Sequence, residues 1–396
     1  MTLDEALALV LNAAWRVPSE RVPLGHALGR YLAEPVHSDC DLPPFDRSML
    51  DGFACRAVDL PDPMPQVECV LAGESAAAPL PAGACMRIMT GAPAPAGADY
   101  VFGIEHAETT PAGICFTGTR GKQNNIARRA EDVKLGDTLL HPGTRLLPQH
   151  LAVLATAGRD EVQVARRPSV GILATGTELV PVSDTPTGAQ IRNSNSTQLA
   201  ALAQACGAET TDYGIAADER ALQGEALRHA LERHDLVLST GGVSVGDRDY
   251  LPELLAELGI NIGVRKVDIQ PGKPIVFGTR ISPEGVSVAA FALAGNPLSS
   301  YVQFILLVQP FLAALQGGVH RPATLRVSLR EGISRGNAAR ALYRPVTIHP
   351  DGSASPPPYH GSGHITSYTD ADALAIIPAG TLAVDAGEMI DVLMLR

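Results

Sequence analysis

The stretch LVLSTGGVSVGDRDY, residues 236–250, runs from apolar side chains through a glycine-rich turn to two aspartates. Leu236, Val237 and Leu238 suit a strand covered on both faces, the usual condition in a parallel sheet. Gly241 and Gly242 let the backbone approach a ligand with its N–H groups exposed. Ligands of open α/β sheets bind at this end of the strands. Asp247 and Asp249 then set carboxylates beside a turn that otherwise favours anions, and a bound cation such as Mg²⁺ resolves that conflict most simply. The competing reading is an ordinary strand-to-helix turn with Asp249 as its N-cap.

Outward from this turn, residues 168–316 alternate strand and helix. Strands are expected at 169–173, 209–214, 235–239, 274–278 and 286–292, and helices at 196–206, 218–233, 250–258 and 298–315. That alternation predicts a parallel sheet with helices on both faces, a three-layer α/β/α domain. Gly207 and Gly259 stand where helix C′ positions favour glycine, and Asp218 stands where an N-cap is wanted. Pro310, deep in the last helix, has to kink or split it.

Upstream, residues 3–17 place Leu3, Ala6, Leu7, Val10 and Leu11 on one face, with Asp4 and Glu5 in the first turn, as in an amphipathic helix. A second helical pattern at 24–32 leads into DLPPFDRSMLDGFA, residues 41–54, where Pro43 and Pro44 exclude regular helix and Asp51-Gly52 marks a turn. Asp51 is either a solvated turn former or a placed functional group. Short apolar segments broken by Gly and Pro at 66–101 read as a small β domain, and in its loop RIMTGAPAPAGADYV the polar handles are Thr90 and Asp99. The helical pattern returns at 148–158, which suggests packing against the N-terminal helix and makes the β domain an insertion. The tail turns into short strand-like runs separated by PDGS and DAGE, a small barrel or sandwich. Its loop HGSGHITS, residues 360–367, is either a plain surface loop or a source of hydroxyl and imidazole groups. The expected domains are therefore 1–40 plus 135–167 (helical linker), 41–134 (inserted, mostly β), 168–320 (α/β) and 321–396 (small β-barrel).

At 396 residues the chain exceeds what one core usually covers, and several domains are expected. A formal net charge of −11 argues against nucleic-acid or membrane-surface binding by the chain as a whole. Cys40, Cys55, Cys69, Cys85, Cys115 and Cys206 show no CxxC spacing, which argues against a disulfide framework or zinc knuckle. MTLDEALALVL carries acids where a signal peptide needs basic residues, and no apolar run is read as reaching the roughly 18 residues of a membrane span. The expectation is a reduced, cytoplasmic protein.

Polar groups gather at loops: Asp51, Thr90, Glu178 in ILATGTEL, Asp247 and Asp249, and Asn296 with Ser299 in LAGNPLSS. Phosphate-like groups need backbone N–H donors and hydroxyls, and a divalent cation needs carboxylates; the set supplies both. Lys273 in QPGKP adds a fixed positive charge for an oxyanion. With these motifs on the page, the chain resembles the molybdopterin molybdenumtransferase family and the homologous E domain of gephyrin. PPFDRSMLDGFA, RIMTGAPAPAGAD, NNIARRAEDV, ATGTEL, STGGVSVGDRD, PGKP, AGNPLSS and GSGHITS follow the family's order from the first helix to the last strand.

The resemblance implies an elongated four-domain homodimer, with the active site in the α/β domain completed by the partner's inserted domain. It implies insertion of molybdate into adenylylated molybdopterin with release of AMP, a required divalent cation (Mg²⁺), and the molybdopterin adenylyltransferase as a candidate partner. By motif, it makes Asp51, Thr90, Glu178, Asp218 and Asp249 catalytic positions, with Glu178, Asp247 and Asp249 as metal ligands. Gly241, Gly242, Ser244, Asn296 and Pro297 become binders of the pterin nucleotide, and Lys273, Ser299, Arg340 and Ser362 holders of molybdate. The sequence departs from the family pattern at Ala127, Ala130, Gln270, Ala294 and Pro345, where arginine, glycine, lysine, proline and arginine are expected. Lost positive charge at Gln270 and Pro345 predicts a higher molybdate requirement. The alternative function is a non-catalytic scaffold or carrier, as the gephyrin E domain also serves in receptor clustering.

Overall fold

The computed structural model describes residues 1–243, 250–281 and 287–395. The chain falls into two compact units, one of residues 1–33, 142–146 and 162–396, the other of residues 34–141 and 147–161. Helix α1 (Leu3–Asn12) belongs to the first unit and helix α2 (Pro148–Thr156) to the second. α1 opens on a capping box in which Thr2 and Glu5 exchange hydrogen bonds, so two orphan N–H groups of the first turn are satisfied. The helical pattern read at 24–32 is only a short 3₁₀ turn, Leu24–His26. Gly25 inside it and Gly29 just beyond, at φ +77°, withdraw the helix propensity that the leucine spacing suggested.

In the first unit the central sheet holds β1 (Ser169–Thr175), β2 (Glu209–Ala216), β3 (Leu236–Thr240), β4 (Asn261–Lys266), β5 (Pro274–Ile281) and β6 (Ser287–Leu293). Their order across the sheet is β2-β1-β3-β6-β5-β4. β2, β1, β3 and β6 are mutually parallel as expected, whereas β5 runs antiparallel to both of its neighbours, β6 and β4. The purely parallel expectation thus fails at one edge, where the chain reaches β5 and β6 without a crossover helix between them. β4 has no counterpart among the strands expected from the sequence: its side chains are mostly exposed, and an edge strand gives little hydrophobic signal.

Side chains of the buried strands alternate between two cores, as the pleat requires. Val170, Ile172, Leu236, Leu238, Ala289 and Phe291 face one that includes Leu199 and Ala203 of α3 (Ser194–Ala205) and Ala6 and Val10 of α1. Leu173, Val237, Ala290 and Ala292 face the other, with Leu227 and Leu231 of α4 (Arg220–Leu231) and Leu251, Leu254 and Leu255 of α5 (Leu251–Glu257). The domain is the three-layer α/β/α sandwich that the periodicity implies.

A continuous helix closes the first core: α6 (Pro297–Gln303), a π-helical turn (Phe304–Val308) and α7 (Gln309–Leu315). Pro310 stands in the first turn of α7, directly after the π-helical turn that interrupts the regular α pattern. Residues Pro297–Leu315 are long and apolar enough to span a membrane, contrary to the sequence expectation, but they are 83% buried inside the protein. Within this apolar helix Gln303 is wholly buried. An unmet polar atom there would cost about 1–3 kcal/mol, and its side-chain amide is accordingly bonded three times, as described below.

The C-terminal part of the same unit is all β. β7 (Thr324–Ser328), β8 (Ala341–Ile348), β9 (Ala373–Ile377) and β10 (Met389–Met394) form one sheet in the order β8-β9-β10-β7. The two-residue strand Ile269–Gln270 joins it beside β8. The strap that precedes β5 thus begins in the C-terminal sheet and runs directly into the central one.

The second unit is built on a four-stranded sheet in the order Gln66–Val70, Cys85–Ile88, Gly52–Cys55, Tyr100–Gly103, with a hairpin of Ala107–Thr110 and Gly113–Phe116. All six cysteines of the chain are free thiols.

Candidate active site

The ends of β1, β3 and β6 are laced together before they open into a cavity. The Asn195 amide nitrogen, at the start of α3, donates to the Thr240 hydroxyl at 2.8 Å and to the Gly295 carbonyl at 2.7 Å. Gly241 N–H donates to the Leu293 carbonyl at 3.2 Å. Gly241 has φ +92°, and a Cβ there would lie 2.4 Å from the Thr175 carbonyl oxygen, so only glycine fits this approach of two strand ends.

The cavity these turns surround has a volume of about 790 Å³. Glu178, Asp218, Gly241, Gly242, Lys273, Asn296, Ser299, Arg340 and Ser362 all line it, although they come from seven separate segments. Pro297 is not on its wall; it stands at the first position of α6, where its fixed φ starts the helix. Ser244, Asp247 and Asp249 lie outside the described residues. Asp51 and Thr90 belong to the second unit, where the Asp51 carboxylate accepts from Thr90 N–H at 2.7 Å and from the Thr90 hydroxyl at 2.8 Å. These bonds, the backbone one first, hold the Asp51 carboxyl below the usual carboxylate range.

The two acids on the cavity are held differently. Asp218 is not the N-cap of α4, a place taken by Glu219. It accepts instead from Thr177 N–H at 3.0 Å and from the Gln223 amide at 3.2 Å, and so pins the turn that carries Glu178. Glu178 has no side-chain hydrogen bond or ion pair among the described residues, and its carboxylate folds back over Gly176. No three His, Cys, Asp or Glu side chains cluster as a metal set among the described residues. Two carboxylate-bearing positions on one cavity nevertheless suit a hard cation that takes oxygen ligands and keeps several waters.

The cationic side chains come from the strap and from β8's approach. Lys273 is exposed on the cavity wall, while its carbonyl accepts from Val267 N–H at 3.0 Å. Arg340 donates to the Ile269 carbonyl at 3.0 Å, and Arg335 donates to the Arg340 carbonyl. The loop HGSGHITS is not a free surface loop. Asn296 donates to the Ser362 hydroxyl at 2.9 Å, Leu298 N–H to the Ser362 carbonyl at 3.2 Å, and the Tyr368 hydroxyl to Gln198 at 2.6 Å.

The departures from the family pattern fall in different places. Gln270 lines the cavity directly. Pro345 is buried within β8 and is not on the cavity wall, but the neighbouring Arg344 guanidinium lies 5.0 Å over the ring of Tyr359, which is. Ala130 sits at φ +59°, a conformation that suits the glycine expected there. Arg128 and Arg129 are engaged by Asp46 at 2.5 Å and Asp41 at 2.6 Å in the same unit. Among residues not singled out from the sequence, Thr175, Asn195, Thr240 and Tyr359 also line the cavity. Asn195 is the one with a readable signal, an asparagine in the NSNS run that opens a helix.

An α/β sheet with a polar cavity at its strand ends, followed by a small β domain that the strap joins to it, defines a multidomain α/β protein with a ligand site on the α/β part. Residues 1–158 match the MoeA N-terminal region (domain I and II), residues 171–314 the probable molybdopterin binding domain, and residues 322–395 the MoeA C-terminal region (domain IV). The chain is 33% identical to the molybdopterin molybdenumtransferase of Staphylococcus epidermidis RP62A, over 100% of this chain and 95% of that protein. It is 34% identical to the Bacillus subtilis enzyme of the same name, over 100% and 94%. Among solved structures, a molybdopterin biosynthesis moeA protein from Pyrococcus horikoshii OT3 superposes with a TM-score of 0.84 at 29% identity, covering 100% of this chain and 99% of that one. The chain belongs to the molybdopterin molybdenumtransferase (MoeA) family.

Proposed function

We infer that this chain is a molybdenum insertase of molybdenum cofactor biosynthesis, a transferase that places molybdenum in molybdopterin. The observation that carries this is one cavity that gathers glycine-rich turns, two acids and two cations in a chain related to molybdopterin molybdenumtransferases over its full length. No observation favours a non-catalytic scaffold of the gephyrin type.

The finer assignment follows the chemistry of the wall. The substrates are adenylylated molybdopterin and molybdate, with AMP as the leaving product. Gly242, Ser244 and Asn296 bind the pterin nucleotide through backbone N–H and amide donors, as anionic ligands at strand ends require, while Gly241, whose N–H is taken by the Leu293 carbonyl, lets the backbone come close to it. Pro297 fixes the start of the helix that carries Ser299. Lys273, Arg340, Ser299 and Ser362 hold molybdate, a tetrahedral dianion that needs fixed cations and hydroxyl donors. Glu178, with Asp247 and Asp249, holds a divalent cation of the Mg²⁺ type, which neutralises phosphate charge when bound. Asp218 acts by fixing the Glu178 turn. Asp51 and Thr90 act from the second unit of a partner copy in a homodimer, the four-domain arrangement 1–40 plus 135–167, 41–134, 168–320 and 321–396 supplying one such unit per chain. The setting is cytoplasmic, downstream of an adenylyltransferase.

Reconstitution tests the insertase against the scaffold. The purified chain, given adenylylated molybdopterin, molybdate and Mg²⁺, is expected to generate cofactor that restores activity to a cofactor-free molybdenum enzyme. Substrate binding without restored activity would favour the carrier.

A further inference from the structure

Gln303, the last residue of α6, joins two of the turns that build the cavity. Its amide nitrogen donates to the carbonyls of Gly272 at 2.8 Å and Pro274 at 2.7 Å, and its amide oxygen accepts from Ala294 N–H at 2.9 Å. Carbonyl acceptors on one end and an N–H donor on the other leave one orientation for the amide. The two carbonyls bracket Lys273, and Ala294 opens the turn that bears Asn296. Gly272 is pressed against this side chain at φ +99°: a Cβ there would stand 3.0 Å from Gln303 Cγ and 3.2 Å from the Ser299 carbonyl oxygen. Ser299 is on the same helix, one turn earlier, and lines the cavity.

We propose that Gln303 is the positioning residue of the oxyanion subsite. It fixes the backbone on both sides of Lys273, locks that strap to the Asn296 turn, and itself touches no substrate. A lysine on a free strap would sample many positions of its ammonium group, whereas one anchored at both neighbouring carbonyls presents it over a narrower range, on the cavity that Ser299 also lines. The inference rests on the assignment of Lys273 to the oxyanion.

The donor and acceptor ends of the amide can be separated. Gln303→Glu keeps an acceptor for Ala294 N–H but turns a carboxylate oxygen toward the Gly272 and Pro274 carbonyls, while Gln303→Met keeps the volume and removes all three bonds. With the full-length protein, molybdate binding is measured by calorimetry and AMP release is followed at varied molybdate and varied nucleotide. Gln303→Glu is expected to raise the half-saturating molybdate concentration about tenfold, with that for the nucleotide changed less than about twofold. Gln303→Met is expected to raise both, and it serves alone if the glutamate variant does not fold. If both variants merely lose melting temperature and active fraction, with both half-saturations unchanged, Gln303 is structural only and the proposal is overturned. Lys273→Ala separates the two levels of the argument. Weaker molybdate binding there but not in the Gln303 variants overturns this proposal alone, whereas no effect of Lys273→Ala removes the oxyanion assignment and the proposal with it.

Discussion

Asp51 and Glu178 both stand beside glycine-bearing turns, one in each unit, and their carboxylates are held in opposite ways. Asp51 is bound twice by Thr90 and kept ionised by those bonds, whereas Glu178 has no partner among the described residues. The first is a charge already placed; the second is a charge waiting for one. Glu178 is exposed on the cavity wall, where water solvates it, so it remains available to a ligand in a way that the Asp51 carboxylate is not. Asp235 gives a third, purely structural case. Burial works against its charge, yet bidentate bonds from Arg166 at 2.9 Å and bonds from Ser169 hold its carboxyl below the usual range.

Substitutions that keep shape and remove charge put this contrast to the test. Glu178→Gln is expected to lower the rate of AMP release at least about 100-fold, near 3 kcal/mol in the barrier, with an unchanged melting temperature. Full activity in this variant would show that the free carboxylate has no role. Asp51→Asn keeps an oxygen for Thr90 N–H, so its expected loss is smaller, about tenfold, with the fold intact. A loss equal to that of Glu178→Gln would make the two acids equivalent and erase the distinction.

Asp235→Asn should behave in the reverse sense, with near-normal turnover per folded molecule and a stability loss of about 2 kcal/mol. Because the folded carboxyl titrates below its unfolded value, its contribution is complete above about pH 4 and is lost as pH falls through the lower folded value. Wild-type stability should therefore fall more steeply on the acid side than that of the asparagine variant, as chemical denaturation at several pH values would reveal. The smallest effect concerns Gln270, the departure that lies on the cavity itself. Gln270→Lys is expected to lower the molybdate concentration for half-maximal AMP release by about fivefold, roughly 1 kcal/mol, without altering that for the nucleotide. An unchanged molybdate requirement would place residue 270 outside the oxyanion subsite.

Much of this arrangement was readable in the chain itself. The apolar run of Leu236, Val237 and Leu238 signals burial on both faces, and Gly241 and Gly242 after it mark where backbones converge. Gly207 and Gly259 end their helices at φ +86° and +83° as anticipated. What escaped reading is what depends on tertiary partners. Asp218 looks like an N-cap in sequence, but its acceptors are used by Thr177 and Gln223, brought near only by the fold. The edge strand Asn261–Lys266 exposes most of its side chains and leaves no apolar run. Gln303 appears as a lone polar residue before FILLV, a blemish in an apolar helix until the strap it binds is seen. The leucine spacing at 24–32 suggests a helix that Gly25 and Gly29 prevent.

The central claim is that the cavity of the α/β domain joins molybdate to an adenylylated pterin. AMP release from adenylylated molybdopterin, followed over time with Mg²⁺ present and molybdate varied, tests it most directly. Release is expected to be negligible without molybdate, to saturate as molybdate is added, and to fall at least about 100-fold in Glu178→Gln. Release that proceeds equally without molybdate, or none under any condition from a folded protein that binds the nucleotide, would contradict it.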